Sequence, residues 1–314
     1  MKTVVPDYYN DFRCLAGDCR HSCCIGWEID IDQDTLDYYN TITGPFGNRL
    51  KNSISCEGGT AHFCMDSHGR CAFLNEKGLC DIMLELGFDK VSQICDDHPR
   101  FRNFYSDRTE IGLGLSCEAV AMQILTKQDK TQLIVLEEDD ELLWEDEEDF
   151  LILRDEIFAI LQDRTQPVWA RVEKMLAHCG VQPLQLTPCQ QVQLYSSLER
   201  LDPVRDRLLS QLENATADIL QWENEDEFSI PFEQLLVYFA FRHLTESLDD
   251  GRLAGRLHYV AQSYRLIRNL CAVHRNNAGS FSIGDMAEIC RIYSAETEYS
   301  PDNMDALFDK FENM

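Results

Sequence analysis

"GRLAGRLHYVAQSYRLIRNLCAVH", residues 251–274, sets apolar side chains at Leu253, Leu257, Val260, Tyr264, Ile267 and Cys271. An i, i+4, i+7 spacing held over this length is the pattern of a helix with one face in a core. The stretches before it repeat the theme. "PFEQLLVYFAFRHL", residues 231–244, puts Phe232, Leu235, Leu236 and Phe239 on one stripe. "PVWARVEKMLAHCG", residues 167–180, ends at Gly180 with Pro183 beyond, a normal helix stop. "EDFLILRDEIFAILQDRT", residues 148–165, predicts a helix with Phe150, Leu153, Ile157, Ile160 and Leu161 inward. After residue 274, Ser300 reads as the N-cap of a closing helix and Pro301 as its first helical residue. Residues 131–314 are therefore expected to form a helical bundle domain, and the chain as a whole to be mainly α.

The first 130 residues read differently. Ten of the fourteen cysteines are here: Cys14, Cys19, Cys23, Cys24, Cys56, Cys64, Cys71, Cys80, Cys95 and Cys117. The others, Cys179, Cys189, Cys271 and Cys290, are scattered, and Cys271 and Cys290 sit at apolar helical positions as small core hydrophobes. Long periodic stretches are lacking. "GWEIDID", residues 26–32, alternates as a short strand with Trp27, Ile29 and Ile31 on one face. "RCAFLNEKGLCDIML", residues 70–84, reads as two short strands across a turn at Asn75–Gly78, then a short helix. A loop-rich segment of this kind needs staples, which bound metal supplies. The expectation for residues 1–130 is a small α+β cysteine-rich metal or cluster domain.

Composition narrows the setting. The chain has 314 residues, 44% apolar and 26% charged, as in ordinary globular proteins, but its net charge is -27. Phosphates repel so acidic a chain, so no nucleic-acid partner is expected. No apolar run approaches the roughly 20 residues that span a bilayer, so no membrane partner is expected either. The opening "MKTVVPDYYNDFRC" lacks the apolar core of a secretory signal. A cytoplasmic location follows, where the cysteines are expected to serve metal or catalysis rather than structural disulfides.

Thiolates are soft and select zinc, cuprous copper or iron–sulfur clusters. The spacing runs C-x4-C, C-x3-C, a vicinal pair, then C-x8-C from Cys71 to Cys80, then Cys95 and Cys117. Adjacent side chains diverge, so Cys23 and Cys24 suit a multi-atom cluster or two sites better than one small ion. Iron–sulfur is favoured over zinc on that ground, and zinc stays open. The radical-enzyme pattern C-x3-C-x2-C is absent: after Cys19 and Cys23 its third position is Gly26.

"CLAGDCRHSCC" (14–24), "RCAFL" (70–74), "CDDHPR" (95–100) and "LSCEAV" (115–120) together resemble the flagellin lysine N-methylase family and its zinc- or iron-chelating cysteine-rich domain. "FEQLLVYFAFRHL", "DGRLAGRLHYVAQSYRLI" and "ICRIYSAETEYSPDNMDALF" are similar to that family's closing helices. The resemblance implies methyl transfer from S-adenosyl-L-methionine to lysine amines of flagellin, with a [4Fe-4S] cluster associated. It implies as metal ligands Cys14, Cys19, Cys23, Cys24, Cys71, Cys80, Cys95 and Cys117, more than the four that one cluster takes. The alternative is a zinc- or iron-binding protein without catalysis, which would have little use for the long helical half.

The remaining motifs have bland and sharp readings. "EEDDELLWEDEED", residues 137–149, reads as a solvated turn leading into a helix whose first turn favours negative charge; its sharp reading is a surface that attracts a lysine-bearing substrate. Arg252, Arg256, Arg265 and Arg268 read as an outer charged face, or as a site for the methyl donor's carboxylate. Tyr238, Tyr259, Tyr264 and Tyr293 read as core, or as a lysine channel. "EIGLGLSC", residues 110–117, is a lone G-x-G and reads as a strand with small residues rather than a dinucleotide turn.

Overall fold

The computed structural model describes residues 1–56, 58–137, 142–200, 203–222 and 225–314; residues 138–141 of the acidic run lie outside the described residues. Two compact units emerge, Arg13–Arg100 on one hand and Met1–Phe12 with Phe101–Met314 on the other. The protein is mainly α, with fifteen α-helices among the described residues, one four-stranded sheet and one two-stranded ribbon.

The division differs from the one expected at residue 130, and a strand explains why. Lys2–Pro6 lies inside the four-stranded sheet, parallel to Arg108–Leu113 (Lys2 opposite Arg108) and antiparallel to Leu133–Glu137 (Pro6 opposite Leu133). Paired on both edges, it cannot leave without stranding backbone donors and acceptors. Val4 and Val5 within it are buried. The start of the chain and residues 101–137 are thereby tied to the helices. Arg100–Phe104 closes the other edge beside Arg108–Leu113. Gly112 is required there, because a Cβ would sit 2.1 Å from Cζ of Phe101. The lone G-x-G thus begins within a strand, as the sequence suggested, and Gly112 leaves room for the Phe101 ring.

The helix Leu253–Ala278 runs through the centre of the helical part and stops at Gly279, whose φ of +73° is glycine's territory. Its predicted stripe is buried at Leu257, Val260, Tyr264, Ile267 and Cys271, with Leu253 half-buried. It packs against Ser229–His243, Ile283–Thr297 and Pro301–Glu312. Closeness to the last of these is set by Gly255, where a Cβ would lie 3.2 Å from the Phe308 carbonyl oxygen. Ser229–His243 is buried on nearly every side, Phe232, Leu235, Leu236 and Phe239 fully. Ser300 caps the closing helix by accepting from the Asn303 N–H at 3.3 Å. Cys271 and Cys290 are plain core, both fully buried.

In Glu145–Leu161 the inner face is Phe150, Leu151, Ile157, Phe158 and Leu161, while Leu153 and Ile160 are only half-buried. The face has turned toward Arg154, which lies buried and bonds the buried Glu110 at 2.5 Å. Apolar spacing alone cannot reveal an inward arginine.

The Arg13–Arg100 unit has the short helices Gln33–Thr41, Gly44–Asn52, Asp81–Leu86 and Gln93–Asp97 and the ribbon Ile54–Ser55 with His62–Phe63. Its core is Ile29, Ile31, Tyr39, Leu50, Phe63, Phe73 and Ile82, with Phe63 and Phe73 meeting edge-on at 5.3 Å. "GWEIDID" buries Ile29 and Ile31 as expected, but it forms one isolated bridge (Asp30 with His62) rather than a strand, and Trp27 is exposed. The Asn75 turn is present: its side-chain oxygen accepts from the N–H groups of Lys77 at 2.9 Å and Leu79 at 3.1 Å, and Gly78 has φ +70°. The flanking strands shrink to a single bridge between Leu74 and Cys80.

Candidate functional site

Six thiols of the Arg13–Arg100 unit act electrostatically on one another. Cys71 N–H donates to the Cys24 carbonyl at 2.9 Å, and Ser92 Oγ donates to Cys95 Sγ at 3.2 Å. The Cys23 thiol donates to Cys24; that bond, helped by Ser22 and Arg70 and opposed by burial, brings Cys24 down to about 7. Cys23 moves up, through the same bond and burial and the charges of Cys24, Cys14 and Cys95. Burial pushes Cys71 up to about 12 and Cys95 up to about 11, and the charges of Cys24 and Cys80 act on both. Cys80 is raised too, by burial and by Cys24 among others.

Of the eight cysteines implied as ligands, then, Cys14, Cys23, Cys24, Cys71, Cys80 and Cys95 fall into one interacting group. Cys19 follows the helical turn Ala16–Asp18, its N–H on the Ala16 carbonyl at 3.2 Å. Cys117 belongs to the other unit, as N-cap residue of the helix Glu118–Thr126. Among the described residues no three His, Cys, Asp or Glu side chains stand as a ready single-ion site. The donor chemistry nonetheless fits a soft metal or a cluster. The set is sulfur throughout, and burial penalises separate thiolates that a cation would compensate.

A second constellation lies in the helical unit. A cleft of about 380 Å³ is lined by residues from four stretches, among them Phe101, Arg242, His243, Arg256, Glu298 and Phe308. Glu298 caps the helix Ile283–Thr297, and Arg242 and His243 end the helix Ser229–His243. His243 Nε2 is 2.5 Å from Glu298 Oε1 and Arg242 Nε is 3.4 Å from the same oxygen. Tyr238 OH donates to Glu298 Oε2 at 2.9 Å. Arg242 stacks between the rings of Phe101 and Tyr299, 4.8 Å from each centroid.

Burial works against charge on Glu298, but Arg242 and His243 outweigh it and hold the carboxyl below its ordinary range. Burial holds His243 below its ordinary value, with Glu298 opposing. The cleft floor at neutral pH is thus a carboxylate, a guanidinium and a neutral imidazole. A carboxylate only accepts, so Nε2 carries the imidazole proton and Nδ1 keeps its lone pair. A cleft of about 400 Å³ elsewhere, lined by Trp222, Phe228, Arg275 and Phe281 among others, offers three packed rings and no buried carboxylate or imidazole.

Arg252, at the start of the central helix, and Arg256, Arg265 and Arg268 within it bind the protein itself. Arg252 pairs with Asp309 at 2.8 Å, Arg256 with Asp250 at 2.6 Å and Glu246 at 2.8 Å, and Arg268 with Glu225 at 2.6 Å. Arg265 bonds the Leu184 carbonyl. Tyr238, Tyr259, Tyr264 and Tyr293 are buried. His243 and Glu298 escaped the sequence reading. Their one local signal was polarity where apolar helices end, "FAFRHL" and "ETEYS".

Fold and sites define a mainly helical protein with a thiol-rich unit and a buried imidazole–carboxylate cleft. Residues 187–314, which contain His243 and Glu298, match the domain described as the FliB lysine N-methylase C-terminal domain. It is 30% identical over 132 residues to the lysine-N-methylases of Salmonella choleraesuis and Salmonella typhimurium, which is 40% of this chain and 32% of each relative. It is 27% identical over 130 residues to the flagellar biosynthetic protein FliU of Salmonella muenchen, 40% of this chain and 77% of that protein. The match spans about a third of the length of the two lysine-N-methylases. No solved structure matches the chain.

Proposed function

We propose that this chain is a cytoplasmic, S-adenosyl-L-methionine-dependent protein-lysine N-methyltransferase acting on flagellin. The observation that carries the reading is the FliB C-terminal domain over residues 187–314, which includes the cleft residues Arg242, His243 and Glu298. Relatives named lysine-N-methylase and flagellar biosynthetic protein support the lysine and flagellar parts. Among the described residues no helix is long and apolar enough to cross a membrane.

The reaction is a polar displacement. A lysine amine, freed of its ordinary proton (pKa near 10.4), attacks the sulfonium methyl. The new C–N bond forms as the C–S bond breaks, and the donor leaves as a neutral thioether. The protein must supply a desolvated amine and a proton acceptor. Cys14, Cys23, Cys24, Cys71, Cys80 and Cys95 would hold an iron–sulfur cluster, or zinc. Bound there, the group ties the loops of residues 13–100 together, coupling ligation to folding.

Incubating the full chain, purified without oxygen, with methyl-labelled donor and flagellin tests the reading. Label in flagellin lysine is expected. Metal-loaded protein that transfers none would contradict it and leave a metal-binding protein without catalysis.

A further inference from the structure

The cleft between Arg242 and Phe308 offers what an amine nucleophile needs. Its outer residues include Glu246 and Asp305, both exposed carboxylates. Its floor holds the neutral imidazole of His243, 2.5 Å from Glu298. His243 Nδ1 has no hydrogen-bond partner among the described residues. Two guanidiniums, Arg242 and Arg256, flank the imidazole and are already paired with protein carboxylates.

We propose that the substrate lysine enters this cleft and gives its ammonium proton to His243 Nδ1, with Glu298 as the positioning residue that orients the ring. The inference rests on the methyltransferase reading and deepens it. Glu246 and Asp305 attract the cationic side chain to the mouth. Further in, Arg242 and Arg256 oppose a second cation, which lowers the ammonium's pKa and favours the neutral amine. The proton passes to Nδ1 and then to solvent, and the freed lone pair attacks the methyl carbon. Glu298 fixes the tautomer by accepting from Nε2–H, as the carboxylate does in a catalytic triad. The paired guanidiniums are poorly suited to a donor carboxylate, since both already have one.

The charged and titratable groups facing the imidazole come from each packed element. Tyr238 and Arg242 share its helix, and Glu246 follows it. Arg256 and Tyr259 lie on the central helix, Glu298 ends the helix Ile283–Thr297, and Asp305 is on the closing helix. Burial leads in keeping the imidazole neutral, and the nearby Arg242 adds to it.

Steady-state methylation of flagellin across pH tests this with His243→Gln, Glu298→Gln, Glu298→Asp and the double variant Glu246→Gln/Asp305→Asn. His243→Gln should lower kcat by about 100-fold or more, the scale of general-base catalysis, with the donor KM unchanged. Glu298→Gln should move the acidic limb of the rate profile to lower pH, because the imidazole loses the anion that raises its pKa; Glu298→Asp should restore part of the wild-type profile. The mouth variant keeps the test open should a floor variant not fold. It should raise the flagellin KM at least about threefold while leaving the donor KM alone. Wild-type kcat in a folded His243→Gln, an unmoved limb in Glu298→Gln, or a donor KM raised by the mouth variant each overturns the inference. Inactive wild-type protein overturns the underlying reading instead.

Discussion

Glu298 Oε1 lies 2.5 Å from His243 Nε2, with the Glu298 side chain fully buried and His243 at 7% exposure. Burial keeps this imidazole neutral against the pull of Glu298, and so couples proton uptake to stability. The unfolded chain titrates His243 near 6.5, whereas burial lowers the folded value. Between the two the unfolded state binds more protons, so stability falls as pH falls below about 6.5 and is retained above it. His98, lowered to about 4 by burial, works in the same direction. Melting His243→Gln against wild type at several pH values should show a shallower acid loss in the variant, with the His98 share remaining. Equal slopes would mean that His243 is not held neutral.

The acidic run separates into two roles that one substitution each can distinguish. Glu147 is buried, and both its oxygens accept from the Ser106 N–H at 3.0 Å, so Glu147→Gln should destabilise by about 1–3 kcal/mol in denaturant unfolding. Glu145, Asp146 and Glu148 are exposed in the first turn of the same helix. Neutralising these three together should leave stability nearly unchanged and raise the flagellin KM. The effect should fade with salt, as the Debye length shrinks from about 10 Å at 0.1 M. Identical kinetics across a salt series would leave the run a solvating surface only.

Gly112→Ala should destabilise by about 1–3 kcal/mol, because its Cβ would overlap the Phe101 ring that also lines the cleft. Chemical denaturation reads the loss directly. A neutral result would mean that the ring has room to move.

The thiols make a contrast within one chain. Cys71→Ser should lose bound metal together with the fold of residues 13–100, since Cys71 is buried among Cys24, Cys80 and Cys95. Cys271→Ser, in the helical core, should keep the metal. Iron with acid-labile sulfide in protein purified without oxygen supports the cluster; zinc without sulfide supports the alternative.

Local pattern carried the helices well. The Leu253–Ala278 stripe, the Ser300 cap and the core role of Cys271 all follow from spacing and side-chain chemistry within a few turns. The sheet was harder, because Lys2–Pro6 finds its partners more than a hundred residues away and Val4–Val5 is too short to announce a strand. The cleft was harder still. Phe101, His243, Arg256 and Glu298 come from separate stretches, and only their meeting makes a buried carboxylate beside a neutral imidazole. The cysteine spacing marked out a thiol-rich unit. It could not say that Cys117 belongs to the helical unit, which depends on the strand Arg108–Leu113 that precedes it.

The most direct test of the account is a peptide mass map of flagellin after incubation with the wild-type chain and S-adenosyl-L-methionine. Mass increments of whole methyl groups located on lysine residues, dependent on the donor and lost with His243→Gln, are the predicted result. Unmodified lysines with folded, metal-loaded wild-type protein would contradict it.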